Sequence, residues 1–168
     1  MRTLLALIAA AVLLSPLPVL AQPAEEANNV ATFSHGDLGM EKAKAEAIRF
    51  LPQFWRRYDA DPAVREMAVV KAGFRAKDGR EEFMWVLVLS RKDGMVTGRL
   101  ANSPVLEVGV KAGDTVTIDE KRIVDWGYRR DGVRWGFFSG REQIARLSPD
   151  KQAEALAGAN FSPTPIEP

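Results

Sequence analysis

The sequence contains no cysteine and only one histidine, His35. Disulfide bonds, thiolate metal sites and cysteine nucleophiles are therefore excluded, and packing alone must hold the fold. His35 precedes the patterned part of the chain, where no ordered surroundings are predicted for a catalytic or metal-binding imidazole. Phosphate-binding loops, dinucleotide fingerprints and calcium loops are also missing. The sequence thus predicts no catalytic residue, no metal site and no cofactor.

An excess of charge of one sign is lacking too. The chain has 23 basic and 22 acidic side chains, for a formal net charge of +1. Nucleic acids and anionic lipid surfaces attract strongly basic proteins. The balance of charge therefore argues against nucleic acid as the partner.

A long apolar run occurs only at the N-terminus. Arg2 precedes the apolar stretch 4–14, Ser15-Pro16 ends it, and Ala21 offers a small residue for cleavage. This pattern predicts a signal peptide over residues 1–21, cleaved near Ala21. The stretch is too short to span a bilayer, so no transmembrane anchor is expected after cleavage. The protein is predicted to be periplasmic or secreted.

Four segments are predicted along the chain: the signal peptide 1–21, a flexible lead-in 22–36, a single domain 37–158 and a mobile, proline-containing tail 159–168. Within the domain, apolar residues recur at helical spacing from Met40 to Tyr58, with Asp37 as a possible N-cap. Pro52 lies inside this pattern and predicts a kink or a break into two helices. Asp61-Pro62 predicts the end of the helix.

From Met67 to Phe138 the apolar period changes to two. Three Asp-Gly pairs, at 78–79, 93–94 and 131–132, separate the apolar runs and predict hairpin turns. The strand 82–89 is apolar on both faces and is predicted to be central and covered on both sides. The last strand is expected to include Phe137 and Phe138. Ser148-Pro149 predicts the start of a short C-terminal helix.

The predicted fold class is therefore α+β. A kinked N-terminal helix packs on a strongly bent antiparallel sheet, or on a small SH3-like barrel, of five to six strands with meandering connections. The short C-terminal helix completes the domain.

Several motifs resemble a known bacterial family. They are Leu51-Pro52-Gln53-Phe54-Trp55, Glu82-Phe83-Met84-Trp85-Val86, Gly98-Arg99-Leu100-Ala101-Asn102-Ser103-Pro104 and Ile123-Val124-Asp125-Trp126-Gly127-Tyr128. Their order, between about Ala43 and Leu147, is similar to that of domain of unknown function 2314, the YegJ-like proteins. The resemblance implies a small, often exported β-rich domain with no established activity. A bulkier residue than Gly127 is common at its position in that family.

The candidate ligand-binding residues are Asn102, Asp125, Trp126, Tyr128 and Arg130. Aromatic rings interleaved with arginines can form a platform for a sugar ring or a peptide. Trp126 and Tyr128 also share a strand face with Val124, and such a stripe more often belongs to a core. Asp125 has a local alternative, which is to accept hydrogen bonds from loop amides near Asn102.

The favoured function is a non-enzymatic binding or protein-interaction module of the periplasm or cell envelope. Its partner would be an unknown protein or an envelope component, and the domain is expected to be a monomer. One alternative is a carboxylate-dependent envelope hydrolase using Asp114 and Asp125, joined by Glu107 and Asp119 at one end of a barrel. Another is an immunity or inhibitor-type protein. A hydrolase requires converging carboxylates in a concave site, whereas a binding module requires an exposed apolar patch.

Overall fold

The computed structural model describes residues 37–168. The predicted signal peptide 1–21 and lead-in 22–36 lie outside the described residues. Within the described residues there are six strands and four α-helices. The helices are α1 (Leu38–Ala60), α2 (Pro62–Glu66), α3 (Phe138–Ala145) and α4 (Pro149–Gly158); the strands are β1 (Val69–Arg75), β2 (Glu81–Lys92), β3 (Met95–Leu100), β4 (Thr115–Asp119), β5 (Ile123–Arg130) and β6 (Val133–Gly136).

Helix α1 begins and ends where local chemistry dictates. The Asp37 carboxylate accepts a hydrogen bond from the Met40 amide at 3.1 Å, which confirms the predicted N-cap. Asp61 ends α1 and caps α2, which starts with Pro62 at its first position. Pro52 lies inside α1, yet the helix continues through it, so the predicted alternative of two separate helices is wrong. Burial of one face of α1 against the sheet compensates for the missing backbone hydrogen bond.

The sheet is antiparallel throughout and has the strand order β4-β3-β2-β1-β5-β6. The first four strands form the predicted meander. Strand β5 departs from it, because after β4 the chain returns through one turn of 3-10 helix, Glu120–Arg122, to pair with β1. The sheet is not closed into a barrel, so the barrel alternative is wrong.

The short connection between β4 and β5 requires a strong bend in β2. Asp119 is level with Lys92 of β2, and Ile123 is level with Met84, eight residues away along the same strand. In a flat sheet these levels would lie roughly 26 Å apart, whereas the four residue-to-residue steps from Asp119 to Ile123 reach at most about 14 Å. A register shift between Val88 and Ser90 marks an irregularity where β2 can bend.

The core lies between α1 and the concave face of the sheet. Phe54 of α1 is fully buried and stacks on Trp126 of β5 with ring centroids 5.1 Å apart. The Trp126 indole N–H donates to the Ala47 carbonyl at 2.7 Å, so the ring is fixed in orientation as well as buried. Small residues on α1, Ala43 and Ala47, allow the helix to approach the sheet closely.

The C-terminal segment differs from its prediction as a mobile tail, because it packs along the edge of β6. The Ser162 amide donates to the Arg134 carbonyl, and the Gly136 amide donates to the Pro165 carbonyl. Beyond the edge, Glu167 is buried and accepts a hydrogen bond from the Tyr128 hydroxyl at 2.9 Å. The segment therefore supplies hydrogen-bond partners to the backbone groups on the outer edge of β6, which would otherwise be exposed.

No helix within residues 37–168 combines the length and the apolar character that a membrane crossing demands.

Candidate functional site

The predicted ligand-binding residues do not form one surface. Trp126 and Tyr128 are each only 2% exposed and belong to the core beneath α1. Arg130 pairs with the buried Glu167, whose carboxylate is also approached by Arg57. Burial, together with the neighbouring Glu167 carboxylate, raises the pKa of Tyr128 above its usual range. Ligand binding by these residues stays a prediction, and in this conformation their rings are occupied with packing.

Asn102 has a backbone role. Its side-chain oxygen accepts a hydrogen bond from the Trp85 amide at 2.9 Å, directly beyond the end of β3. It therefore continues the pairing of β2 after its neighbouring strand has ended. The local alternative for Asp125 involves other partners, because the amides that it binds belong to α3 and β5 rather than to the loop around Asn102.

Asp125 lies fully buried on the face of the sheet opposite α1. One carboxylate oxygen accepts from the amides of Trp126 at 2.8 Å and Phe138 at 3.1 Å. The other accepts from the amide of Ser139 at 2.8 Å and from its hydroxyl at 2.6 Å. Asp125 thus caps the N-terminus of α3, where backbone N–H groups favour a carboxylate. Burial raises the pKa of Asp125, while these hydrogen bonds favour its ionised form.

Lys71 completes this cluster from β1. Its ammonium donates to the Ser139 hydroxyl oxygen at 3.3 Å and lies 5.4 Å from the centre of the Trp85 ring. Burial lowers the pKa of Lys71, and the Asp125 carboxylate opposes that shift. Neither Lys71 nor Ser139 is among the candidate residues that the sequence predicts. A signal existed for Lys71, which is the one charged residue in the interior of an otherwise apolar strand that ends at Arg75.

The Lys71, Ser139 and Asp125 cluster is not arranged for nucleophilic attack. The Ser139 proton points to Asp125, so the hydroxyl can only accept from Lys71. The first amides of α3, which could otherwise stabilise an oxyanion, already donate to Asp125. The arrangement fixes α3 on the sheet and holds the Lys71 ammonium at a defined place.

The carboxylates considered for a hydrolase do not converge. Glu107 pairs with Lys77, Asp114 accepts from the Lys111 amide, and Asp119 caps the 3-10 turn. The roles of Asp114 and Asp119 are the local turn roles that their sequence positions favour, whereas Glu107 pairs with a residue 30 positions away. Asp125 is buried elsewhere under α3. Within residues 37–168, no group of three or more acidic or histidine side chains could hold a metal ion.

The face of the sheet opposite α1 exposes an apolar surface, which we call the open-face patch. Strand β2 points Phe83, Trp85, Leu87 and Leu89 to this side, so its predicted coverage on both faces is wrong. Phe83 is 41% exposed and Leu89 is 49% exposed. The patch consists of these four residues together with Val69 and Phe137.

Phe137 reaches the open-face patch because of an unusual backbone. Its φ of 55° is left-handed, which turns the chain from β6 into α3. The ring then lies over Gly127 and packs 5.2 Å from the Trp85 ring. A β-carbon at Gly127 would come within 2.3 Å of the Phe137 ring, so a bulkier residue there would displace it. The absence of a side chain at Gly127 therefore leaves the space that the Phe137 ring occupies in the open-face patch.

Two grooves adjoin these surfaces. One, of about 310 Å³, continues the open-face patch beyond Leu87 and Leu89 towards Pro62, Arg65 and Glu66 of α2. The other, of about 470 Å³, lies outside the patch along α1 and is lined by Ile48, Leu51 and Trp55 among others. The first groove could receive a side chain from a molecule lying on the open-face patch.

Comparison with known proteins gives a family match. A family model described as an uncharacterized protein conserved in bacteria, DUF2314, matches residues 37–161. The matched range contains every strand of the sheet and the whole open-face patch. No curated protein and no solved structure matches the chain.

Proposed function

Because this chain belongs to the DUF2314 family of bacterial proteins, which supplies no activity, we propose a function from its own geometry: it is a protein-interaction module that binds through the open-face patch. One observation carries the proposal, namely that the interior strand β2 leaves a row of apolar side chains without a covering layer in residues 37–168. Soluble domains rarely leave such a contiguous surface without an interaction to cover it.

The location is part of the proposal. The predicted signal peptide over residues 1–21 supports a partner in the periplasm or cell envelope. The separate roles of Asp114 and Asp125 give no support to a hydrolase.

The test compares two substitutions of similar exposure on different surfaces. Leu89→Asp places a charge on the open-face patch, where Leu89 is 49% exposed, and Ile48→Asp places one in the α1 groove, where Ile48 is 47% exposed. We expect the wild-type protein and Ile48→Asp to recover the same stoichiometric protein from an envelope fraction, and Leu89→Asp to lose it. Circular dichroism of each variant checks that the fold is retained.

Two outcomes would contradict the proposal. Loss of the partner with Ile48→Asp but not with Leu89→Asp would move the site to the α1 groove. Hydrolysis of isolated cell wall by the purified protein would replace a binding function with an enzymatic one.

A further inference from the structure

The open-face patch is bordered by positive charge. Arg99 of β3 is directly paired with Leu87, and Lys71 of β1 is directly paired with Trp85, so both side chains lie on the face that carries the patch. Arg129 of β5 follows Gly127 on the same face. Within residues 37–168, none of these three cations forms a direct ion pair, although the Asp125 carboxylate is near enough to offset part of the charge of Lys71.

Two carboxylates on this face are already engaged, and two others, Asp119 at the end of β4 and Glu66 beside the groove, lie at its margins. Glu81 is paired with Arg122 at 3.5 Å, and Asp125 is buried under hydrogen bonds from α3. Since the chain as a whole carries a net charge of only +1, the positive character of this face is local. A local field of one sign around an apolar centre selects partners of opposite charge.

We infer that the partner of the open-face patch is an acidic protein segment, whose apolar side chains cover Phe83, Leu87 and Leu89 and whose carboxylates meet Lys71, Arg99 and Arg129. This inference rests on the proposed function and specifies the chemistry of the partner. Lys71 is the anchor, because Ser139 and the Trp85 ring hold its ammonium within the surface rather than above it.

Other occupants fit this surface less well. A second copy of the chain paired through the same face would bring Lys71, Arg99 and Arg129 towards their own counterparts, and like charges oppose such a contact. An anionic bilayer attracts protruding cations, but a plane of headgroups does not reach a half-buried ammonium. A carboxylate on a flexible side chain does.

A random 12-residue peptide library displayed on phage tests the inference with the purified full chain as target. We expect enriched peptides that combine apolar residues with Glu or Asp and that no longer bind Leu89→Asp. For a synthetic enriched peptide, replacing its acidic residues by the corresponding amides is expected to weaken binding about tenfold or more, and added salt to reduce the difference.

Two sets of variants assign the effect to this face. Lys71→Met should lower affinity for the acidic peptide but not for its amide analogue. Since Lys71 also contacts Ser139, the double variant Arg99→Gln with Arg129→Gln provides a test that leaves the buried cluster intact. The control is Lys42→Gln with Lys151→Gln, which removes the same charge from exposed positions on α1 and α4. It should bind like the wild type.

The unfavourable outcomes are distinct. Peptides that bind at Leu89 without any dependence on their acidic residues would overturn the acidic partner and leave the proposed function standing. Failure to enrich any peptide sensitive to Leu89→Asp would overturn both. Binding to vesicles of phosphatidylglycerol that is abolished by Leu89→Asp, or a dimer that the same substitution dissociates, would assign the patch to a membrane or to self-association and overturn the inference.

Discussion

Asp125 shows how one side chain can determine the position of a whole element. Its carboxylate receives four hydrogen bonds, three of them from Phe138 and Ser139 at the start of α3. A buried carboxylate is costly unless donors and a counter-charge surround it, and here they do. The buried Asp125 charge requires these donors, and the donors require the carboxylate as their acceptor. Removing either one alone would leave buried polar groups unsatisfied.

Replacing Asp125 by alanine is therefore expected to lower the free energy of unfolding by about 3–5 kcal/mol. The physical reason is that three amides and the Ser139 hydroxyl would lose their acceptor in a buried place, and the nearby Lys71 ammonium would lose its counter-charge. Urea denaturation followed by circular dichroism measures the change. Asp131→Asn is the control, since Asp131 is 91% exposed and asparagine tolerates its left-handed φ of 51°. A loss for Asp125→Ala as small as that of the control would contradict this role.

At the residue scale, Asp125 can be recognised from the sequence as a candidate residue, but its role as a distant helix cap cannot. Its partners Phe138 and Ser139 lie 13 and 14 residues away, and no local pattern reveals such a distant cap. The sequence pattern allows Trp126 and Tyr128 to form either part of the core or an exposed binding platform. The structure buries both rings in the core. Glu167 was missed because an acidic residue between prolines normally indicates an exposed tail.

Among the elements, those with local start and stop signals were predicted well. Helix α4 begins at Pro149 as expected, and Asp93-Gly94 and Asp131-Gly132 have the two positive φ angles of tight hairpin turns. Helix α3 was missed, because its cap is the distant Asp125 and the apolar alternation continues into Phe137 and Phe138. The turn between β6 and α3 depends instead on two consecutive left-handed residues, Gly136 and Phe137.

Gly136 is the more constrained of these two positions. Its φ is 81°, and a β-carbon there would approach the Trp126 carbonyl oxygen to 2.4 Å. We expect Gly136→Ala to reduce the free energy of unfolding by about 2–4 kcal/mol, from backbone strain and the clash together. Chemical denaturation measures the change, and proteolysis within α3 should report local loosening.

Gly158→Ala provides the matched control. Gly158 lies at the end of α4, and no atom lies within 4 Å of the place that a β-carbon would take there, so alanine should be neutral or stabilise by about 0.5–1 kcal/mol. If both substitutions had the same effect, the close approach of Gly136 to Trp126 would not be a determinant of the turn.

At the scale of the whole molecule, the sheet is covered unequally. Helix α1 buries one face, the C-terminal segment covers the edge of β6, and the open-face patch is uncovered within residues 37–168. Alternation in the sequence predicted the antiparallel sheet but not the uncovered side, because Phe83, Trp85 and Leu87 are as apolar as the core residues between them. Apolar character on both faces of a strand is compatible with burial or with an interface, and only the packing of the other elements distinguishes them.

The single core also determines how the molecule responds to alkali. The chain has two tyrosines, and Tyr58 and Tyr128 both lie in the core between α1 and the sheet. Burial raises the pKa of each, and the Glu167 carboxylate raises that of Tyr128 further. In the unfolded chain a tyrosine ionises near pH 10. The stabilising contribution is therefore complete below about pH 10 and is lost as the pH rises from there towards the folded pKa, because only the unfolded state releases the proton.

Spectrophotometric titration should accordingly show tyrosinate in the urea-unfolded chain near pH 10, and in the folded protein only at higher pH. Since both rings occupy one core, their ionisation is expected to coincide with loss of the far-ultraviolet circular dichroism signal. Tyr58→Phe and Tyr128→Phe separate the two contributions, and each should weaken the alkaline loss of stability relative to the wild type. If one tyrosine ionised near pH 10 while the circular dichroism signal was unchanged, that ring would be accessible to solvent, and the core on which the placement of the open-face patch depends would be wrong.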